Sequence, residues 1–111
     1  MSSKALTGLT LAAALLGAAY VSFAQSNGAA VYKTKCSMCH GLQGTPNPGI
    51  AKNMGTRAAS DPAVKAMSQA QMITITTDGK GKMPAFKSKL TAAQIKDSVD
   101  YFRLFAKSLR T

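Results

Sequence analysis

One five-residue segment constrains this chain more than any other feature of its sequence. Cys36-Ser37-Met38-Cys39-His40 holds both cysteines and the only histidine of the 111 residues. On a helical turn, residues three apart lie on the same side, so the two sulfurs project toward one edge with the imidazole directly after them. The three side chains can therefore bind one and the same group. Because the chain has a single histidine, it cannot supply two imidazoles to any site.

The Cys-x-x-Cys-His spacing is typical of covalent attachment of a c-type haem. Cys36 and Cys39 can form thioethers with the two haem vinyl groups, and His40 can turn its imidazole toward the iron as the proximal ligand. A thiol–disulfide redox pair would be expected in a strand–helix–strand pattern, which is not visible here, and zinc would need four ligands. A disulfide across so short a loop would add little stability. We therefore predict one covalently bound haem c.

The second iron ligand must come from a residue other than histidine. A methionine thioether is the usual alternative, and His/Met ligation raises the reduction potential. Beyond residue 24, the candidates are Met38, Met54, Met67, Met72 and Met83. Met38 lies inside the attachment segment and cannot reach across the haem, whereas a methionine on a helix can simply fill the core. Met83 lies in a glycine-loosened segment, where Pro84 favours an extended backbone. We predict Met83 as the distal ligand, with Met54 as the second choice.

The N-terminal residues 1–24 have the pattern of a secretory signal. A single charge at Lys4 precedes an apolar stretch, and Ser22-Phe23-Ala24 places small residues around a cleavage site. The alternative is a retained membrane anchor, although glycines and threonines dilute the apolar stretch. We expect cleavage, export to the periplasm and no stable membrane insertion. The remaining domain, residues 25–111, is small for a self-sufficient core, and a haem would complete that core.

The rest of the sequence predicts helices and no strands. Two capping-box sequences, Ser68–Gln71 and Thr91–Gln94, mark helix starts. The predicted helices cover residues 27–40, 60–67, 68–77 and 92–109, with a loop over residues 41–57. The predicted class is all-α, with about four helices wrapped around one covalently attached haem.

Two ordered motifs carry a resemblance to a known family. They are C-S-M-C-H-G over residues 36–41 and G-K-G-K-M-P-A-F over residues 79–86, and an aromatic-bearing terminal helix follows them. The chain resembles a monohaem class I cytochrome c of the small soluble bacterial type. The resemblance implies a haem-wrapping helical fold, and a carbonyl beside a proline that accepts from the ring N–H of His40. Pro46 and Pro48 both fit that role.

The resemblance also implies that the first and last helices cross. Gly28 and Tyr32 match the family's small and aromatic positions before the first cysteine. Glycine at a crossing allows two backbones to approach closely. On the terminal helix, Val99 and Phe102 are the expected contacts, with Tyr101 as the competitor for the aromatic position.

The predicted function is transfer of single electrons between redox partners by a His/Met-ligated haem c, and not enzymatic catalysis. The alternatives are a haem-c subunit or domain partner of a larger oxidoreductase, and a haem enzyme or sensor with a labile distal methionine. The formal charge of +10 suggests nucleic acid, but no basic helix or stacking platform supports it. We expect a monomer that docks to acidic-faced redox proteins through the lysines near the haem segments. These are Lys35, Lys52, Lys80, Lys82, Lys87 and Lys89.

Overall fold

A computed structural model describes residues 27–108, and the predicted signal segment 1–24 lies outside them. The described chain forms α1 (Gly28–Lys35), α2 (Ser37–His40), α3 (Pro48–Met54), α4 (Pro62–Lys65), α5 (Gln69–Asp78) and α6 (Ala92–Ser108). The only β pairing across this region is an isolated bridge between Lys80 and Met83. The predicted all-α class is confirmed.

The loop predicted over residues 41–57 was wrong in part, because it contains α3. The residues that suggested a loop form the ends of this helix. The Asn47 side chain accepts from the Ile50 N–H at 2.8 Å, and Pro48 occupies the first turn, where its missing N–H does no harm. Gly55 ends the helix in the left-handed region, with φ +68°. Helix breakers at these positions therefore delimit a short helix.

The first predicted helix is divided at Cys36, whose φ of −118° and ψ of −35° separate α1 from α2. The other predicted helix starts are confirmed. Ser68 and Gln71 exchange the two hydrogen bonds of a capping box at the start of α5. Thr91 and Gln94 make the same pair of bonds before α6.

Helices α1 and α6 approach so closely that glycine is required at the contact. A Cβ atom placed on Gly28 would lie 2.2 Å from the backbone oxygen of Asp97. The residue of α6 nearest to Gly28 is therefore Asp97, and Val99, one of the two expected contacts, is buried on the same helix. One turn further, the Tyr32 ring meets the rings of Tyr101 at 5.4 Å, Phe102 at 6.1 Å and Phe105 at 5.7 Å. Both candidates for the aromatic contact, Tyr101 and Phe102, thus pack on Tyr32.

A buried cluster of Phe86, Leu90 and Ile95 joins the segment after α5 to the start of α6. Val31, Ile73 and Met83 pack against this cluster from its edge. The core therefore connects α1 and the start of α6 to the segment that carries Met83.

In the region from 27 to 108, no helix combines the length and the apolar character needed to cross a membrane.

Candidate haem site

A mainly apolar cavity lies between the crossing helices and the segment after α5. It encloses about 680 Å³ of empty space, its open mouth included. Its apolar walls are formed by Val64, Met67, Met72, Ile75, Val99 and Phe102. Cys36, His40 and Met83 line the same cavity, so three of the four predicted site residues meet there. Cys39 lines an adjoining cavity, together with the same three residues.

His40 is the last residue of α2, and its ring packs edge-on against Phe102 at 5.4 Å. Burial lowers the pKa of His40, so the ring is neutral near pH 7 and keeps a nitrogen lone pair for a metal. Its Nδ1 atom is buried without a hydrogen-bond partner, the one such side-chain atom between residues 27 and 108. The expected carbonyl partner beside Pro46 or Pro48 is therefore not found, and Pro48 serves instead as the first residue of α3.

The two cysteines are half-buried free thiols at the bend between α1 and α2. Burial, and to a smaller extent Cys39, raises the pKa of the Cys36 thiol to about 11. That thiol is therefore protonated near pH 7. A catalytic thiol–disulfide centre instead has a lowered cysteine pKa. The site thus disfavours thiol–disulfide exchange and leaves both sulfurs available for thioether links.

Met83 is held in position by a tight turn. Lys80 and Met83 exchange two backbone hydrogen bonds of 3.0 Å, and Gly81 at the tip has φ +58°. Downstream, the Phe86 N–H donates to the Thr76 carbonyl at 3.0 Å, which ties the segment to α5. The turn therefore places Met83 in both cavities that contain Cys36 and His40.

The other methionines lie in less suitable places for an iron ligand. Met38 is 82% exposed, in agreement with its exclusion. Met54 ends α3 and is 37% exposed. It lines the adjoining cavity but not the main one. Met67 and Met72 line the main cavity but not the adjoining one, and Met72 is buried on α5. Among the methionines of the described chain, Met83 alone lines both cavities.

Two features of the site were not predicted from the sequence. Arg57 is the only lysine or arginine that lines the main cavity, and its guanidinium lies 3.7 Å from the Asp61 carboxylate. Arg57 ended the predicted loop, and charge alone did not distinguish it from the other basic residues. The second feature is a hydrogen bond from Tyr32 Oη to the Gly41 carbonyl at 2.6 Å. Gly41 directly follows His40, so Tyr32 connects α1 to the backbone beside the histidine.

We expect Tyr32→Phe to destabilise the haem-loaded protein by about 1–2 kcal/mol, because the part-buried Gly41 carbonyl loses its donor. The measurement is denaturant unfolding followed by haem absorbance. Tyr101→Phe is the matched control, since that ring packs in the same cluster without a hydroxyl hydrogen bond within the described chain. Equal stability of the two variants would contradict the role of this hydrogen bond.

The site fits a c-type haem by the chemistry of its own groups. It offers two thiols, a neutral imidazole with an unpartnered ring nitrogen and a methionine thioether, all around apolar walls. These are the groups that covalent attachment and iron ligation require. A helical fold in which the first and last helices, here α1 and α6, cross beside such a cavity is typical of small c-type cytochromes.

Comparison with known proteins agrees with this class. Residues 23–102 match the family described as cytochrome C oxidase, cbb3-type, subunit III. The chain is 37% identical to cytochrome c6 of Gloeothece citriformis, over 88% of this chain and 90% of that protein. It is 34% identical to cytochrome c6 of a Nostoc species, over 78% and 84% of the two chains. Among solved structures, the KustC0563 c-type cytochrome superposes with a TM-score of 0.65 at 30% identity, over 72% of this chain and 98% of the other.

The chain therefore belongs to the cytochrome c family. It is a small monohaem class I cytochrome c that binds haem c covalently. It acts in electron transport and is not an enzyme.

Proposed function

We propose that this protein is a periplasmic carrier that shuttles single electrons between two redox partners. Cys36 and Cys39 form the thioether links, His40 is the proximal iron ligand and Met83 is the distal ligand. The observation that carries this assignment is the placement of His40 and Met83 in the same two cavities, beside Cys36. The signal-like residues 1–24 support export.

The bound haem supplies reversible one-electron chemistry between Fe(II) and Fe(III). The chain's own residues favour this electron exchange over reaction with a substrate. His40 and Met83 would both bind the iron and would leave it no position for a substrate. Apolar walls, such as those formed by Val99 and Phe102, would shield the bound haem from water. Arg57 lines the cavity and would offer a cation to the carboxylates of the haem propionates.

The experiment that tests this function is a redox titration of the exported, haem-loaded protein, followed by its visible spectrum. We expect one reversible one-electron transition and, in the oxidised form, the weak methionine–iron band near the red end. An oxidised protein without this band would instead favour a haem enzyme or sensor with a labile distal methionine.

The lysines around the adjoining cavity support docking to acidic-faced partners. Lys35, Lys80 and Lys82 line the adjoining cavity that contains Cys39. Positive charge around the site of electron exit attracts an anionic partner, and salt screens this attraction. Two other lysines that we predicted to dock partners already contact residues of this chain. Lys87 Nζ lies 3.7 Å from Asp78 Oδ1, and Lys89 Nζ lies over the Phe86 ring.

We expect the rate of oxidation by ferricyanide, an anionic probe, to fall with increasing ionic strength. Lys35→Gln should lower the rate at low salt by about two- to threefold, because it removes one attractive charge beside the site. Lys33→Gln is the control, since Lys33 is exposed on the same helix and lines neither cavity. Rates that do not respond to salt would contradict electrostatic docking.

A second candidate function is that of a haem-c subunit loosely held by a larger oxidoreductase. The description of the matching family, a subunit of an oxidase, favours it. The similarity to two cytochromes c6, of which the matches cover 90% and 84%, favours the free carrier. Size-exclusion chromatography of the periplasmic fraction, followed by haem absorbance, separates the two: a monomeric peak supports the carrier, and elution with a large complex supports the subunit.

A further inference from the structure

A side-chain hydrogen bond ties the turn that carries Met83 to α3. Lys82 Nζ donates to the backbone carbonyl of Asn53 at 2.5 Å. Asn53 lies in the last turn of α3, where carbonyl groups have no partner within the helix. Between described residues, only two other side-chain hydrogen bonds join positions more than four apart in sequence. The bond from Lys82 is therefore one of few side-chain ties between distant segments.

The tip of this turn has little other support. A Cβ atom on Gly81 would meet no heavy atom within 4 Å, so the tip projects into open space. The backbone bonds that anchor the segment to α5 lie further along the chain, from Phe86 to Thr76 and from Lys87 to Thr77. Nothing in those bonds prevents the tip of the turn from moving away from α3.

We propose that Lys82 is a positioning residue that holds the Met83 turn against α3 and so keeps the methionine at the iron. The proposal rests on the proposed ligation by Met83. Lys82 and Met54, the last residue of α3, line the same cavity as Met83, so the hydrogen bond lies beside that cavity. Without it, the turn gains freedom, and the iron spends more time without its distal ligand.

The matched pair Lys82→Gln and Lys80→Gln tests the proposal. Both substitutions remove one positive charge from the same turn, but the Lys80 side chain has no partner among the described residues. Imidazole is the probe, because it binds the oxidised haem only when Met83 has left the iron. A third variant, Lys82→Arg, keeps a cationic donor that can reach the Asn53 carbonyl. All four proteins are compared at equal haem content.

We expect Lys82→Gln to raise the apparent affinity for imidazole about fivefold, as loss of an exposed charge-assisted hydrogen bond implies. Lys80→Gln and Lys82→Arg should stay within about twofold of the unsubstituted protein. Equal affinities in Lys82→Gln and Lys80→Gln would overturn the positioning role. Iron ligation by Met83 would still stand if the unsubstituted protein shows the red-end band and Met83→Ala loses it. If Met83→Ala retains the band, the ligation itself is wrong.

Discussion

Replacing Met83 by alanine should abolish the weak red-end absorption band of the oxidised protein and lower its reduction potential. The thioether is a soft ligand that stabilises Fe(II) relative to Fe(III), so its loss favours the oxidised state. Axial ligands set haem potentials over about 0.8 V, and we expect a decrease on the order of 0.1–0.2 V. The measurements are a visible spectrum of the oxidised protein and a redox titration.

Met54→Ala is the control for this experiment, because Met54 was the second choice from sequence. It ends α3 and is 37% exposed, so its removal should leave the band and the potential unchanged. The opposite pattern, in which Met54→Ala loses the band and Met83→Ala keeps it, would transfer the ligand role to Met54. An unchanged spectrum in both variants would refute ligation by either residue.

Replacing Gly28 by alanine should destabilise the protein by about 3 kcal/mol, near the upper end for overpacking in a core. The added Cβ would lie 2.2 Å from the Asp97 carbonyl oxygen and 2.7 Å from its carbon. These are backbone atoms, which cannot rotate aside as a side chain can, so α1 and α6 must separate. Tyr32 would then lose contact with the aromatic rings of α6. Denaturant unfolding of the haem-loaded protein measures the loss.

Gly49→Ala provides the matched control within α3. A Cβ atom there would meet only the Asn47 Oδ1 atom at 3.4 Å, which is close to ordinary contact. Alanine is favoured over glycine in a helix by roughly 0.5–1 kcal/mol, so this variant should be neutral or slightly stabilised. If both variants unfold at the same denaturant concentration, the close crossing of α1 and α6 is incorrect.

Local features of the sequence predicted local features of the structure. Both capping boxes form where Ser68 and Thr91 predicted them, because a capping box involves residues only three apart. The loop that contains α3 was misread for a related reason. Proline and glycine break a helix in its interior but start or end one at its boundaries. The difference depends on position, which residue type alone does not reveal.

The sequence by itself determined that Cys36, Cys39 and His40 lie together, because they are neighbours whose spacing brings them onto one helical turn, and this spacing predicts haem attachment there. With one histidine in the chain, the sequence also predicted a methionine as the distal ligand. Only the tertiary structure placed Met83 in both cavities beside His40, brought Arg57 to the cavity, and set Asp97 opposite Gly28. The physical reason is the distance along the chain. Contacts between neighbouring residues follow from helical geometry, whereas contacts between distant segments follow from how the helices pack around a shared core.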